Sequence, residues 1–266
     1  MKRIVKLLLA SMLIMGLIFS AVGCGGSSEQ TDNNNNNDQV KKIVVGSETT
    51  FPPFEFEEDG EKLGFDMDLI RAIGEVQGYE VEIKYQPFDS LITALQSGHI
   101  DCAVSAMSIT PDRLEVVDFS EPYFDAGLII AVRSDEENIN SIDDLAGKRL
   151  AAQIGTIGAA AANGVKEKDA STEVRTFQSI GEAFMELEKG GVDAIVNDHP
   201  VTSYYIKTTS KGTVKMVGEV FSADDQYGIA VKKGNTEVLN LINDGLAKIR
   251  ENGTYDEIYN KWFGIE

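Results

Sequence analysis

"LQSGHIDCAVSA" (95–106) and "LEKGGVDAIVND" (187–198) are two stretches of one chain that share a pattern at a fixed distance. Leu95, Gly98, Asp101 and Val104 of the first match Leu187, Gly190, Asp193 and Val196 of the second, each 92 positions on (187 against 95). Both read as a helix end, a glycine stop, an aspartate and a buried strand. A second echo pairs "KKIVVGSETT" (41–50) with "GKRLAAQIGT" (147–156), each a basic-flanked strand that runs into a polar turn before the next helix. Two echoes in the same order imply two similar α/β lobes.

Strand and helix patterns alternate between these anchors. "DMDLIRAIGEVQG" (66–78) reads as a helix capped by Asp66, with Leu69, Ile73 and Val76 on one face and Gly78 as its stop. "YEVEIKY" (79–85) alternates like a strand, and "DSLITALQSG" (89–98) is a helix from Asp89 to Gly98. "IDCAVSAM" (100–107) and "AGLIIAVR" (126–133) are buried strands. Such alternation predicts largely parallel sheets. Open α/β sheets bind ligands beyond the carboxyl ends of their strands. Those places are 47–51 and 105–108 in one lobe, 153–157 and 197–198 in the other, and two facing lobes bring all four around one cleft.

The chain has 266 residues, 42% of them hydrophobic and 25% charged, and a formal net charge of -19. That balance excludes nucleic acid and anionic membrane surfaces as direct partners. Two cysteines are too few for a disulfide framework. The N-terminus reads apart from the rest: Lys2, Arg3 and Lys6 precede an apolar run over 7–22. Residues 1–23 are expected to be a secretory signal; a retained membrane anchor is the alternative. Removing them takes away three cations and leaves the chain near -22. The polar stretch "GGSSEQTDNNNNNDQ" that follows Cys24 reads as a flexible tether over 24–40. Cys102, inside an apolar run, reads as a buried structural thiol.

"AVSAMSITPDRLEVVDFS" (103–120) poses three choices: a catalytic serine loop, a phosphate cradle, or a seat for another anion. The chain has no G-x-S-x-G, and its two histidines are His99, in a helix-end loop, and His199, at the start of a helix with Pro200. It has no G-x-x-x-x-G-K-[ST] either. The third choice remains.

From about Lys41 to Gly264 the sequence resembles the amino-acid-binding proteins of ATP-binding-cassette importers, family 3 of the solute-binding proteins. The motifs that carry the resemblance are "FPPFEF", "GFDMDLIRAI", "ITPDR", "VDFSEPYF", "DLAGKRLA" and "NGTYDEIYNKWFG", in order. "AVGC" similarly resembles a bacterial lipobox, with Cys24 as the lipid-bearing residue; a plain signal with an incidental cysteine is the alternative. The family resemblance implies a two-lobed type II periplasmic binding fold with the ligand cleft between lobes joined by two crossover strands. Lobe 1 then spans 41–127 and 227–266, and lobe 2 spans 131–222. The crossovers fall near "DAGLII" and "SADDQYG".

The resemblance also implies roles. A free amino acid brings a carboxylate and an ammonium, and a dry cleft must satisfy both. Arg113, the arginine of "ITPDR", suits the carboxylate through its planar fork. Ser105, Ala106 and Ser108 add backbone and hydroxyl bonds, and the turn at Thr156 and Ile157 closes over the carboxylate. Asp198 is the ammonium partner or a cap for the helix after it, or both. Glu48, Phe51, Phe88, Gln153 and Asn197 set side-chain selectivity, with Phe51 and Phe88 as aromatic walls. A carboxylate at Glu48 favours a ligand ending in positive charge, helped by cation–π attraction; accepting from a glutamine amide is the alternative. No lysine stands at 153 to argue for an amide-bearing ligand, so arginine, lysine or histidine is expected ahead of glutamine.

The resemblance thus implies a monomeric receptor outside the cytoplasm, lipid-anchored to the cell membrane, or periplasmic if an outer membrane is present. Its partners are a free L-amino acid and an importer permease. No cofactor, metal or catalytic residue is expected. A cyclohexadienyl dehydratase on the same scaffold is the enzymatic alternative. No signalling domain is expected after Glu266, which argues against a sensor module.

Overall fold

The computed structural model describes residues 41–264. The expectations for the leader, Cys24 and the tether lie outside those residues.

Two five-stranded sheets organise the chain. The first runs Tyr79–Tyr85, Lys41–Ser47, Cys102–Ala103, Ala230–Lys232, Val117–Phe119; the second runs Glu173–Phe177, Arg149–Gln153, Ala194–Asp198, Leu128–Arg133, Val214–Phe221. The first three strands of each are parallel, the fourth pairs antiparallel, and the fifth pairs antiparallel to the fourth. One strand in each sheet therefore opposes the other four. "AGLIIAVR" is that strand in the second sheet, a refinement of the parallel expectation. It runs backwards because it arrives from the other lobe by a crossover instead of through a helix.

The repeated aspartates explain the echo. Asp101 accepts a bond from the Val44 backbone N–H at 2.8 Å, and its own N–H donates to the Val44 carbonyl at 2.8 Å. Asp193 accepts from the Arg149 N–H at 2.9 Å and returns a bond to the Arg149 carbonyl at 2.7 Å. In each lobe the aspartate clamps the start of the third strand, Cys102–Ala103 or Ala194–Asp198, to its parallel neighbour, Lys41–Ser47 or Arg149–Gln153, where parallel pairing alone leaves groups unpaired. Before each clamp a glycine, Gly98 or Gly190, turns the chain at φ 74° or 76°, a region that costs other residues steric strain.

Helices cover the sheets with the apolar faces their periodicity predicts. Phe65–Gln77 buries Leu69, Ile70 and Ile73, with Val76 half-buried, and packs on Thr236–Glu251, which buries Ile242, Leu246 and Ile249. Gly78 ends the first of these in the left-handed conformation. In the second lobe, Ile180–Glu188 buries Ala183, Phe184 and Leu187. Cys102 is fully buried, and burial pushes its thiol up.

Three local expectations need correction. Asp66 is not a cap: Gly64 holds that position, and the Asp66 carboxyl turns inward to the Ala106 N–H and the Tyr123 hydroxyl. "IDCAVSAM" forms regular strand only at Cys102–Ala103, because the chain turns away after Val104 and Ala106 takes a positive φ of 43°. The helix expected from Asp89 begins as a 3-10 turn, Phe88–Ser90, before Leu91–Ser97.

The crossovers Phe124–Asp125 and Gln226–Tyr227 pair with each other. Phe54, fully buried, sets its ring edge-on to Phe124 at 4.8 Å and to Tyr227 at 5.2 Å. It also meets Phe65 and Phe263. "FPPFEF" and the C-terminal helix Thr254–Phe263 thus seat both crossovers in one aromatic cluster.

Candidate functional site

The carboxyl ends of the strands meet across a small, partly closed cavity. Glu48, Phe51, Phe88, Ser105, Ala106, Ser108, Arg113, Gln153, Thr156, Ile157 and Asp198 all line it, with Glu55. Asn197 does not. Strand residues alternate between faces, and with Asp198 turned to the cavity the Asn197 amide points to Thr202 at 3.2 Å.

Arg113 lies on the short helix Pro111–Val116, capped by Thr110, whose hydroxyl accepts from the Arg113 N–H at 3.3 Å. Its guanidinium is braced from both lobes. Nη1 donates to the Ser108 carbonyl at 2.6 Å, and Nη2 donates to the Gly155 carbonyl across the cleft at 3.0 Å. The group sits 5.4 Å from the Phe88 ring centre. Burial lowers its hold on the proton, against the pull of Asp225 and Asp198. Two of five N–H donors are engaged, and among the described residues Arg113 forms no ion pair. A planar cation held this way has donors to offer an anion.

The opposite lobe adds a helix N-terminus. Thr156 caps Ile157–Lys168, accepting from the Ala159 N–H at 3.1 Å and donating to the Gln153 carbonyl at 2.7 Å. Its hydroxyl is therefore spent on the fold. What this turn offers the cavity is backbone N–H and the positive end of the helix dipole. Gly155 has φ 80°, and a Cβ there would sit 3.2 Å from the Asp89 backbone, so glycine allows the loop to close on the first lobe.

The serines are also committed. Ser105 Oγ accepts from the Glu48 N–H at 3.1 Å and donates to Glu55 Oε1 at 2.8 Å. Ser108 Oγ donates to Asp225 Oδ2 at 3.2 Å. Each hydroxyl has one proton, so neither has a proton left to donate to a bound carboxylate.

Acidic groups hold the rest of the cavity. Asp198 is 6% exposed and stands at the N-cap of His199–Thr208 without bonding any helix N–H, so the capping alternative fails. Burial pushes its carboxyl up to about 7. Glu48 is 2% exposed and accepts from the Thr50 N–H at 3.3 Å and from the Thr50 hydroxyl. Burial raises its carboxyl too, opposed by bonds from Thr50 and the Gln153 amide. Gln153 also donates to the Gln178 carbonyl at 3.1 Å. The neighbours of Arg113 (Ser108, Gly155, Asp198, Asp225) and those of Glu48 (Thr50, Ser105, Gln153) do not overlap, so the cavity has two distinct charged regions. Sequence reasoning missed Glu55 and Asp225. Neither follows a parallel strand of the sheets: one comes from the hairpin after Phe54, the other from a crossover. The histidines stay out of the lining; His99 meets the Ser97 hydroxyl at the surface. Among the described residues no cluster of metal-ligating side chains occurs, and no helix is long and apolar enough to cross a membrane.

An interlobe cavity with an unpaired guanidinium, a helix N-terminus and buried carboxylates belongs to a receptor for a small charged solute. The chain is a member of the bacterial extracellular solute-binding proteins, family 3, whose family model matches residues 43–265. A probable histidine-binding protein of Neisseria gonorrhoeae is 34% identical over 224 residues, 84% of this chain and 83% of that protein. An ancestral arginine-binding protein is 45% identical over 84% of this chain and 98% of its own. Its structure with arginine superposes at a TM-score of 0.81, and that with glutamine at 0.79. An ancestral amino-acid-binding protein described as a precursor of cyclohexadienyl dehydratase is 37% identical over 84% of this chain and 95% of its own, with a TM-score of 0.75. The fold is the type II periplasmic amino-acid-binding architecture of these structures.

Proposed function

We propose that the chain captures a free basic L-amino acid, arginine foremost, and delivers it to the permease of an ATP-binding-cassette importer. The observation that carries this reading is the charge pattern of the cavity. It holds one cation without an ion pair, Arg113, and two separated acidic regions, Asp198 on one side and Glu48 with Glu55 on the other, that no lysine or arginine pairs among the described residues. A basic amino acid brings the complement: a carboxylate for Arg113 and the Ile157 N–H, an ammonium for Asp198, and a second cation for Glu48. Phe51 and Phe88 flank the carbon chain between. Glutamine is the second reading, because the ancestral arginine-binding relative was also solved with it and the Gln153 amide faces Glu48.

The bodies that close on the ligand are 41–127 with 227–266 and 131–222, hinged at the paired crossovers. The receptor works as a monomer, held outside the cytoplasm by acyl chains on Cys24. Cys24→Ser is then expected to move the protein from the membrane fraction to the soluble fraction; retention in the membrane would remove the lipid anchor from this reading.

A thermal-shift screen over the twenty amino acids tests the ligand. Arginine, lysine or histidine is expected to raise Tm most, since a ligand at 100 times its Kd adds about 2.7 kcal/mol to stability. A larger shift with glutamine would reverse the order. Turnover of prephenate or arogenate would instead establish the dehydratase alternative.

A further inference from the structure

At the cavity wall, with Glu55 in the lining and Asp66 behind it, lies a pair of carboxyls that the binding scheme does not use. Glu55 is 1% exposed and Asp66 is fully buried, and the two face each other. One oxygen of each is accounted for. Glu55 Oε1 accepts from Ser105 Oγ at 2.8 Å. Asp66 Oδ2 accepts from the Ala106 N–H at 2.7 Å and the Tyr123 hydroxyl at 2.8 Å. The other two, Glu55 Oε2 and Asp66 Oδ1, are buried with no donor. Among the described residues, the other charged group facing the pair is the Glu48 carboxylate, Tyr123 is the remaining titratable neighbour, and no lysine, arginine or histidine faces it.

Ionised carboxylates only accept, so two neighbouring carboxylates in a buried site repel, and each would keep one oxygen without a bond. One proton between them resolves both faults with a short O–H···O⁻ bond. Burial acts in the same sense, raising Glu55 well above the usual carboxylate range and Asp66 to about 7. We propose that Glu55 and Asp66 act as one unit, a carboxyl pair sharing a single proton, that fixes the Ser105–Ala106 wall of the cavity and limits the negative charge a ligand meets beside Glu48.

The bonds form one line. The Glu48 N–H holds Ser105, Ser105 holds Glu55, Glu55 shares its proton with Asp66, and Asp66 holds the N–H of Ala106. Ala106 needs that hold, because φ 43° is unfavourable for a residue with a Cβ. Glu55 is thus a positioning residue for both Glu48 and the seat at Ala106. Glutamine at 55 can reproduce the arrangement, its carbonyl accepting from Ser105 and its amide donating to Asp66.

Two measurements on the full chain test the pair. Side-chain carboxyl 13C resonances, followed from pH 5 to pH 9 without ligand, are expected to show Glu55 and Asp66 moving together near neutrality. At pH 7.5 they should not both stand at the ionised position, and the shared step should vanish in Glu55→Gln and in Asp66→Asn. Two fully ionised resonances at pH 7.5 would overturn the proposal. Titration with L-arginine gives the second readout, which rests on the ligand reading above. Glu55→Ala should lose about tenfold or more in affinity, and Glu55→Gln should recover most of it. Equal losses would make Glu55 an ionised partner of the ligand and overturn the pair. Should arginine fail to bind the unaltered protein, the ligand reading falls, and the resonances still decide the proton.

Discussion

The two lobes share a scaffold and differ in what they present on it. Strand order, the opposed fourth strand, the glycine stop and the aspartate clamp recur in both. The chemistry does not. After its third strand the first lobe turns at Ser105–Ser108, backed by a carboxyl pair, and reaches Arg113 on the next helix. The second lobe continues its third strand straight to Asp198, and its first strand leads into a capped helix at Ile157. The aspartates and glycines that match across 92 residues are structural, and in the proposed reading the positions that fail to match are where a ligand is discriminated. In that reading the carboxylate seat is split: a guanidinium from one lobe and a helix N-terminus from the other. Only the closed cleft assembles both, which ties affinity to closure.

The largest expected effects come from removing one lobe's charge. Arg113→Ala and Asp198→Ala strand opposite ends of every amino acid, and each should cost roughly 2–5 kcal/mol of binding for arginine and glutamine alike. Calorimetric titration measures this, and wild-type affinity in either variant breaks the assignment for that lobe. Asp198 adds a pH signature. Its raised carboxyl, near 7, must be ionised to meet an ammonium. Affinity should therefore fall as pH drops below about 7, by up to tenfold per unit for one proton. The same raised carboxyl acts on folding with the opposite sign. The native state holds a proton that the unfolded chain, with an ordinary aspartate near 4, has released. Asp198 therefore favours folding most at low pH and loses that contribution as pH rises from about 4 to 7.

A smaller, selective effect is expected at Glu48. Glu48→Gln keeps shape and removes one charge, so arginine and lysine should weaken by about 1.5–3 kcal/mol while glutamine changes little. Equal weakening of all three would make Glu48 a structural residue and remove the case for a cationic ligand.

Much of this was legible in the sequence because repetition exposes a scaffold. The 92-residue echo gave two lobes, and strand ends in those lobes gave the four segments around the cavity. What stayed hidden followed from bonds between distant positions. Nothing local distinguishes Asp66 as a buried acceptor from Asp66 as a helix cap: its partners are Ala106 and Tyr123, 40 and 57 residues away. Glu55 stands in a hairpin whose alternation alone does not show which face meets the cleft. Asn197 and Asp198 both read as facing the cavity because adjacent residues at a strand end are separated only by the pleat. The serines line the cavity, yet the direction of their single protons, toward Glu55 and Asp225, is a tertiary fact.

The smallest expected effect is the most direct test of the scaffold reading. Asp101→Ala and Asp193→Ala each remove a carboxylate that accepts a strand N–H at 2.8 or 2.9 Å, and each should cost about 1–3 kcal/mol of stability. Asp193 also pairs with Arg149 at 2.6 Å, but that arginine is half in solvent, so the pair adds little to stability. The two variants should therefore shift denaturant midpoints by similar amounts without changing the slope m, and leave arginine affinity unchanged at temperatures where both are folded. A large asymmetry between them would mean that one clamp carries more than strand pairing. Lost affinity in either would mean that the clamp reaches the cavity, and the division between a repeated scaffold and an unrepeated site would fail at that lobe.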